Sequence, residues 1–474
     1  MNISFLNLIN IVLFSFLIFL LGALFVSSFW ERRLRPRYIS FVLIVTLLVM
    51  FLLFYRFNNI GVVYVLNLVF ITLFSIPILM SIVYWFPSKK DPIDREKITQ
   101  FDERDHMLSR NMIKDYPHLY KKYYTMYPDR KQRDKIAHKL PELGQPGSKF
   151  YDPIYSLIPD AAFTVIAKTA PSILEGKPWK DEKESIDPGE ITEIIKNIAM
   201  LYGAIDVGIT ELRSYHLYSY RGRQPDTWGD RVDLLDRHKY AIAIFVKKSL
   251  DMINEAPSLP IVFESSRQYL EAAKIAYVIS EFIRGLGYDA LPHVDANYQL
   301  SCVAVAWDTG LGDVGRFGYF IHGKYGPGVR IAVVTTDLIL SPTKKRDYHI
   351  DEFCSICTKC ADSCPLQAIN HGEKTLSRGV KRWTSDQEKC FIAWKTYGTD
   401  CGICMRECPY TKPYNLIHNL YRFYISRNPI TQRIGLYLDY LFYGKKNRGR
   451  AKNPELLKFL RYVNKKLLRL KVKV

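Results

Sequence analysis

Residues 351–369 read DEFCSICTKCADSCPLQAI, in which Cys354, Cys357, Cys360 and Cys364, followed by Pro365, spell C-x2-C-x2-C-x3-C-P. Three closely spaced thiolates grip one face of an iron–sulfur cubane, and the chain carries the fourth to a second cluster. A partner set lies in KCFIAWKTYGTDCGICMRECPY (389–410), where Cys390, Cys401, Cys404 and Cys408 precede Pro409 and the first gap is stretched to ten residues. The two-cluster rule assigns Cys354, Cys357, Cys360 and Cys408 to one [4Fe–4S] cluster, and Cys390, Cys401, Cys404 and Cys364 to the other. Structural zinc prefers paired C-x2-C knuckles, which this spacing lacks. All eight ligands are used, so no iron is left open for a substrate. The segment reads as a ferredoxin-like electron wire, and a wire needs something at its end.

Working outward, eight of the nine cysteines fall between Cys354 and Cys408, a clustering for a cofactor and not for a disulfide framework. Free thiolates suit a reducing compartment. The ninth, Cys302, lies in the apolar stretch SCVAVAW and reads as a small buried hydrophobe. The 474 residues exceed one ordinary domain, and the apolar residues concentrate at the N-terminus. Runs 3–29, 38–55 and 61–86 each approach the ~20 residues that cross a bilayer, predicting an all-α transmembrane anchor over 1–86. The first run is too long for a signal-peptide core and has no basic region before it. The connection ERRLRPR (31–37) holds four arginines, RFNNI (56–60) one, and Lys89, Lys90, Arg95 and Lys97 come after the third run. The positive-inside rule then puts the N-terminus outside and everything after Phe86 on the cytoplasmic face of a cell inner membrane.

The formal charge of +19 invites a nucleic-acid reading, but its distribution argues against one: Lys445–Val474 holds twelve Lys/Arg against Glu455 alone. Asn453 as cap, Pro454 in the first turn, and Leu456, Leu457, Leu460, Val463, Leu467 and Leu470 at helical spacing predict a basic amphipathic helix. Membrane lipid is its simplest partner, with RNA, a partner protein or a solvated tail as alternatives.

Between anchor and tail, 87–189 is charged, rich in Tyr and Pro and without a clear period, and is expected to wrap over the surface of the neighbouring domain. That domain, over 190–345, alternates helices (191–201, 265–286) with short β-rich runs (240–246, 302–307, 329–335). The iron–sulfur module occupies 346–415 and a helical region with the basic tail 416–474. Gly310-Leu-Gly312-Asp-Val-Gly315 fits a dinucleotide fingerprint, but the later glycines, with Pro327, interrupt the helix such a site requires.

An ordered series of motifs spans over half the chain: LYGAIDVGIT (201–210), IRGLGYDALP (283–292), DTGLGDVGRFGYFIHGKYGPGVR (308–330), TTDLIL (335–340), the two cysteine segments, and YLFYGKK (440–446). In this order they resemble the cobalamin-dependent reductive dehalogenases and, more distantly, epoxyqueuosine reductase. The resemblance implies a nitroreductase-like α/β core that cradles a base-off corrinoid, with the inserted two-cluster module feeding it electrons. The absence of D-x-H-x-x-G agrees with cobalamin bound without a histidine beneath the metal. The substrate implied is a small organohalide, whose carbon–halogen bond the reduced corrinoid cleaves while a tyrosine protonates the carbon. An epoxide or modified nucleoside, or a non-catalytic membrane electron carrier, are the rival readings. The electron donor (a ferredoxin, a flavoprotein or a quinone-linked partner) is left open.

The family's proton donor matches Tyr269, and a phenol of pKa ~10 becomes a useful acid when a neighbouring cation stabilises its phenolate. Arg330 of GPGVR is the expected cation. The family's Gly-Asn-Asp segment is replaced by HVDANYQLS (293–301), leaving Asn297, at a one-residue shift, or His293 as the third active-site group. Exported respiratory relatives carry a twin-arginine signal where this chain has hydrophobic spans, so a catabolic or biosynthetic role is expected.

Overall fold

The structure, a computed structural model of the chain, describes residues 3–31, 33–56, 61–80, 82–83, 94–174, 177–295 and 297–445. The expected basic helix after Lys445 and the end of the third apolar run lie outside these residues. The chain forms two compact units, one of 1–89 with 413–474 and one of Lys90–Lys412.

In the first unit, helices α1 (Ile3–Trp30), α2 (Leu34–Arg56) and α3 (Gly61–Met80) coincide with the three apolar runs. Two described stretches, Leu8–Trp30 and Leu34–Leu53, are long and apolar enough to cross a membrane. Only 22% and 17% of these windows is buried, so they are not core helices of this unit. Within α3 the qualifying stretch is the shorter Leu68–Pro77. Phe14 of α1 stacks on Phe70 of α3 at 4.2 Å. Helices Leu416–Ile425 and Pro429–Tyr443 join this unit through polar contacts. Glu31 accepts hydrogen bonds from Tyr443 Oη (2.9 Å) and Ser27 Oγ (3.0 Å) and meets His418 Nε2 at 2.7 Å. Asn428 Nδ2 donates to the carbonyls of Met80 and Val83 at 2.8 Å.

The second unit is built on a four-stranded sheet of β1 (Asp206–Glu211), β2 (Tyr240–Lys247), β3 (Ala290–His293) and β6 (Val329–Thr336), ordered β1-β2-β6-β3. Every pairing is antiparallel, so the alternation of helices and strands produces an α+β layer without parallel crossovers. Strand β2 is buried on both faces, and its period of two sorts it. Ile242, Ile244 and Val246 face helices Pro260–Gly285 and Pro188–Leu201, while Ala241, Ala243 and Phe245 join Leu300, Val305 and Phe320 on the other side.

One expectation is corrected. The β-rich run 302–307 is the helix Cys302–Asp308, because Ser301 caps it by accepting from Ala304 N, and Val305 and Ala306 turn into the core. Its end comes so close to β1 that a Cβ on Gly208 would lie 2.5 Å from Thr309 Cβ. The aperiodic region 87–189 holds helices Met107–Met112, Pro117–Met126, Pro128–Lys139 and Leu157–Leu174. Pro117 and Pro128 sit in first turns, where a missing N–H costs nothing. The glycine segment 310–315 leads into a hairpin of β4 (Gly312–Val314) and β5 (Phe320–His322), with no helix at the fingerprint.

Candidate functional site

The eight clustered cysteines separate in space into two interleaved quartets. The thiols of Cys354, Cys357, Cys360 and Cys408 line a common cavity with Phe317, Phe353, Pro409 and Tyr410, enclosing an empty volume of about 270 Å³. Cys390, Cys401, Cys404 and Cys364 are mutual electrostatic neighbours in the second group. Burial and then crowding by the other thiols push Cys390 up to about 12, and burial pushes Cys401 up to about 11. Apolar walls with four convergent sulfurs suit a cubane, whose cationic irons reverse that cost. Each quartet could therefore hold one cluster. Cys302 stands apart, half-buried at the start of its helix.

Tyr269 lies in the helix Pro260–Gly285, one turn after Ser265 and on the same face. Arg330, the second residue of β6, bridges the two. Its Nη2 donates to Ser265 Oγ at 2.5 Å, and its guanidinium carbon sits 3.6 Å above the centre of the Tyr269 ring. The expected pair is thus assembled, but its net effect differs from expectation. Burial pushes the Tyr269 phenol up and outweighs the opposing pull of Arg330. The phenol keeps its proton near neutral pH and can act only as a donor.

Asn297 and His293 separate clearly. His293 is fully buried in β3, its Nε2 2.9 Å from Thr335 Oγ1, and burial lowers its pKa to about 3. It is a neutral residue that β3 turns into the sheet interior. Asn297 accepts at Oδ1 from Arg221 (2.8 Å), while its buried Nδ2 makes no hydrogen bond. The neighbouring Asp295 and Tyr298 both act electrostatically on Tyr269 or receive its influence. Arg330 Nε is likewise a buried donor without a partner. Two unpaired buried donors are costly unless a ligand meets them.

Further residues around Tyr269 carried no motif. Arg223 pairs with Asp295 at 3.2 Å and pulls the Tyr269 phenol down, as Arg330 does. Burial and then Arg330 depress the Lys248 ammonium to about 7, opposed by Asp400, Glu264 and Cys404. Burial raises Tyr319 well above the usual phenol range, with Cys390, Cys404 and Tyr269 all adding to the shift. Tyr319 therefore feels the charge of both the second quartet and Tyr269. It is 36% exposed, and Tyr269, Tyr298, Cys302 and Arg330 are also only half-buried, although burial dominates every one of their shifts.

Comparison with known proteins agrees with this geometry. The 4Fe-4S dicluster domain family matches residues 353–412. The tetrachloroethene reductive dehalogenase of Desulfitobacterium hafniense is 31% identical over 293 residues, covering 52% of each chain. That of Sulfurospirillum multivorans is 28% identical over 296 residues, covering 56% of this chain and 59% of its own. An epoxyqueuosine reductase of Lactococcus garvieae is 32% identical over 118 residues, 24% of this chain and 32% of its own. Among solved structures, the catabolic reductive dehalogenase NpRdhA superimposes with a TM-score of 0.61 at 22% identity, over 78% of this chain and 50% of that one. The chain spans about half the length of the dehalogenases it matches. Over that half, the chain is similar to the reductive dehalogenases.

Proposed function

We propose that this chain is an oxidoreductase of the reductive-dehalogenase type, membrane-bound and facing the cytoplasm, that replaces halogen by hydrogen in a small organohalide. The observation that carries the proposal is Tyr269 capped by Arg330, in the same unit as the two cysteine quartets. The balanced change is R–X plus two electrons and one proton giving R–H and X⁻. Cys354, Cys357, Cys360 and Cys408 would hold one cluster and Cys364, Cys390, Cys401 and Cys404 the other, and together these would supply electrons one at a time.

A cobalamin would be held by the residues about Tyr269, where Asn297 Nδ2 and Arg330 Nε are buried donors without a partner. When bound in its nitroreductase-like cradle it supplies the low-valent metal centre at which the carbon–halogen bond is cleaved. The residues do the rest. Tyr269 Oη holds the proton that goes to carbon, and Arg330 stabilises the phenolate left behind. Asn297 Nδ2 orients an acceptor on the substrate, and the apolar faces of the sheet exclude water. The NpRdhA complex with 3-bromo-4-hydroxybenzoic acid and the chloroethene relatives favour small organohalides as the substrate class. The lengths and exposure of α1 and α2, with four arginines between residues 31 and 37, support anchoring with that connection inside.

The test is metal and halide together. Full-length protein purified in detergent after expression with cobalamin should contain about eight irons and one cobalt, and should release halide from bromophenols or chloroethenes under a low-potential reductant. A full iron complement without corrinoid uptake refutes the reading and leaves an electron carrier.

A further inference from the structure

Arg316 belongs to none of the groups described above, yet it is one of the two largest fully buried side chains in the described residues, 2% exposed. Its guanidinium makes six hydrogen bonds. Nε donates to the carbonyls of Cys354 (3.0 Å) and Cys357 (3.1 Å). Nη2 donates to Cys354 (2.8 Å) and Ser355 (3.2 Å), and Nη1 to Asn370 (3.0 Å) and Gly372 (2.8 Å). Its own main-chain N–H donates to the Cys354 thiol, and the indole of Trp383 lies 4.1 Å from the guanidinium carbon. Every acceptor of the six side-chain bonds is a neutral carbonyl, none a carboxylate.

A buried cation is ordinarily held by a buried anion, because isolated charge is expensive away from water. Here five carbonyl dipoles and one ring face solvate the charge, and among the described residues no carboxylate bonds to it. Three of the carbonyls, on Cys354, Ser355 and Cys357, belong to the segment that carries three thiols of the first quartet, and the next residue, Phe317, lines the same cavity. An iron–sulfur cluster with four thiolates is an anion that gains further negative charge on reduction. A fixed cation beside it favours the reduced form, as does an N–H aimed at a ligand sulfur; charge and hydrogen bonds to sulfur are among the terms that set such potentials.

We propose that Arg316 is a positioning residue whose charge raises the reduction potential of the cluster held by Cys354, Cys357, Cys360 and Cys408. The inference concerns the cluster and not the substrate site, so it stands or falls independently of corrinoid binding.

Redox titration of the full-length, cluster-loaded protein monitored by electron paramagnetic resonance tests it, with the second cluster as internal standard. Arg316→Gln removes the charge and keeps a donor; Arg316→Lys keeps the charge but cannot reach all five carbonyls. Arg316→Gln should shift the first cluster's reduction equilibrium at least tenfold toward the oxidised form, ~59 mV for one electron. The second cluster should move less than half as far, and Arg316→Lys should stay within threefold of the parent. Equal shifts in the two variants, or no shift in Arg316→Gln, overturn the proposal. If Arg316→Gln loses iron, Arg316→Lys decides alone: a parent-like potential supports the role of charge, and a tenfold shift or loss of iron refutes it.

Discussion

Replacing Arg330 by Gln isolates its electrostatic work on Tyr269, because an amide can still reach Ser265 Oγ while the charge over the ring disappears. The guanidinium carbon is 3.6 Å from the ring centre. The phenolic oxygen lies roughly 3 Å out along the ring, so the charges are about 4–5 Å apart and, at an effective dielectric near 20, interact by about 3.5–4 kcal/mol. That corresponds to roughly 2.5–3 pKa units. The Tyr269 phenol, already raised by burial, then climbs further and becomes a poorer acid. With about half the change expressed in the proton-transfer transition state, kcat falls roughly 20-fold. The assay is halide release by full-length protein loaded with clusters and corrinoid, under reduced viologen, in light and heavy water. The solvent isotope effect should grow as proton transfer becomes limiting. The same substitution in a Tyr269→Phe background should cost little more, since the group it assists is gone. Activity within threefold of the parent, or full additivity of the two changes, refutes the assignment of Arg330 as the cation serving this phenol.

Three other outcomes are expected from the geometry. Cys408→Ser should abolish the signal of the cluster that also uses Cys354, and Cys364→Ser that of the cluster on Cys390, Cys401 and Cys404, each crossing over the sequence segment in which it lies; Mössbauer spectra that lose the neighbouring cluster instead refute the interleaving. His293 is held neutral in the fold at a pKa of about 3, against ~6.5 when unfolded, so between those values the unfolded state binds the extra proton and stability falls with falling pH. This residue alone makes the protein about 2 kcal/mol less stable at pH 5 than at pH 8, a slope in thermal melts that His293→Gln should flatten. Gly326 adopts φ +67°, and a Cβ there would sit 2.2 Å from the Tyr410 carbonyl, two residues beyond Cys408. Gly326→Ala should therefore displace that ligand and lower the iron bound, by combining left-handed strain of ~1 kcal/mol or more with a backbone clash.

What the sequence made legible was what spacing alone determines. The cysteine gaps with Pro365 and Pro409 implied two crossed quartets, and the same pairs are spatial neighbours. Helix Pro260–Gly285 and strands β2 and β6 matched their apolar periods. The helix Pro128–Lys139 could not be read that way, because it is polar on nearly every face and owes its place to a buried network. There Arg110 pairs with Asp134 (2.5 Å), and the same carboxylate accepts from Tyr124 Oη (2.6 Å). Residues 302–307 carry strand-like composition, yet one serine cap and two inward side chains make them a helix. Propensity yields there to burial.

The functional residues divide on the same line. Tyr269 and Arg330 were found because a motif series aligned them, but the direction of the phenol's shift depends on how much protein surrounds it, which no local pattern records. His293 and Asn297 stand four positions apart in one segment, and only the register of β3 against β6, which pairs His293 with Val333, turns the first into the sheet and leaves the second beyond the strand, bonded to Arg221. Arg316 shows the limit most sharply. An arginine between Gly315 and Phe317, with Gly318 beyond, reads as a surface turn residue, and nothing in GRFG announces that five carbonyls converge on it from residues 354–372. Such a site exists only once the cysteine loop has folded around its cluster. Loading iron and ordering Arg316 should therefore be one event, with the indole of Trp383 reporting both by its fluorescence as iron is added to the apoprotein.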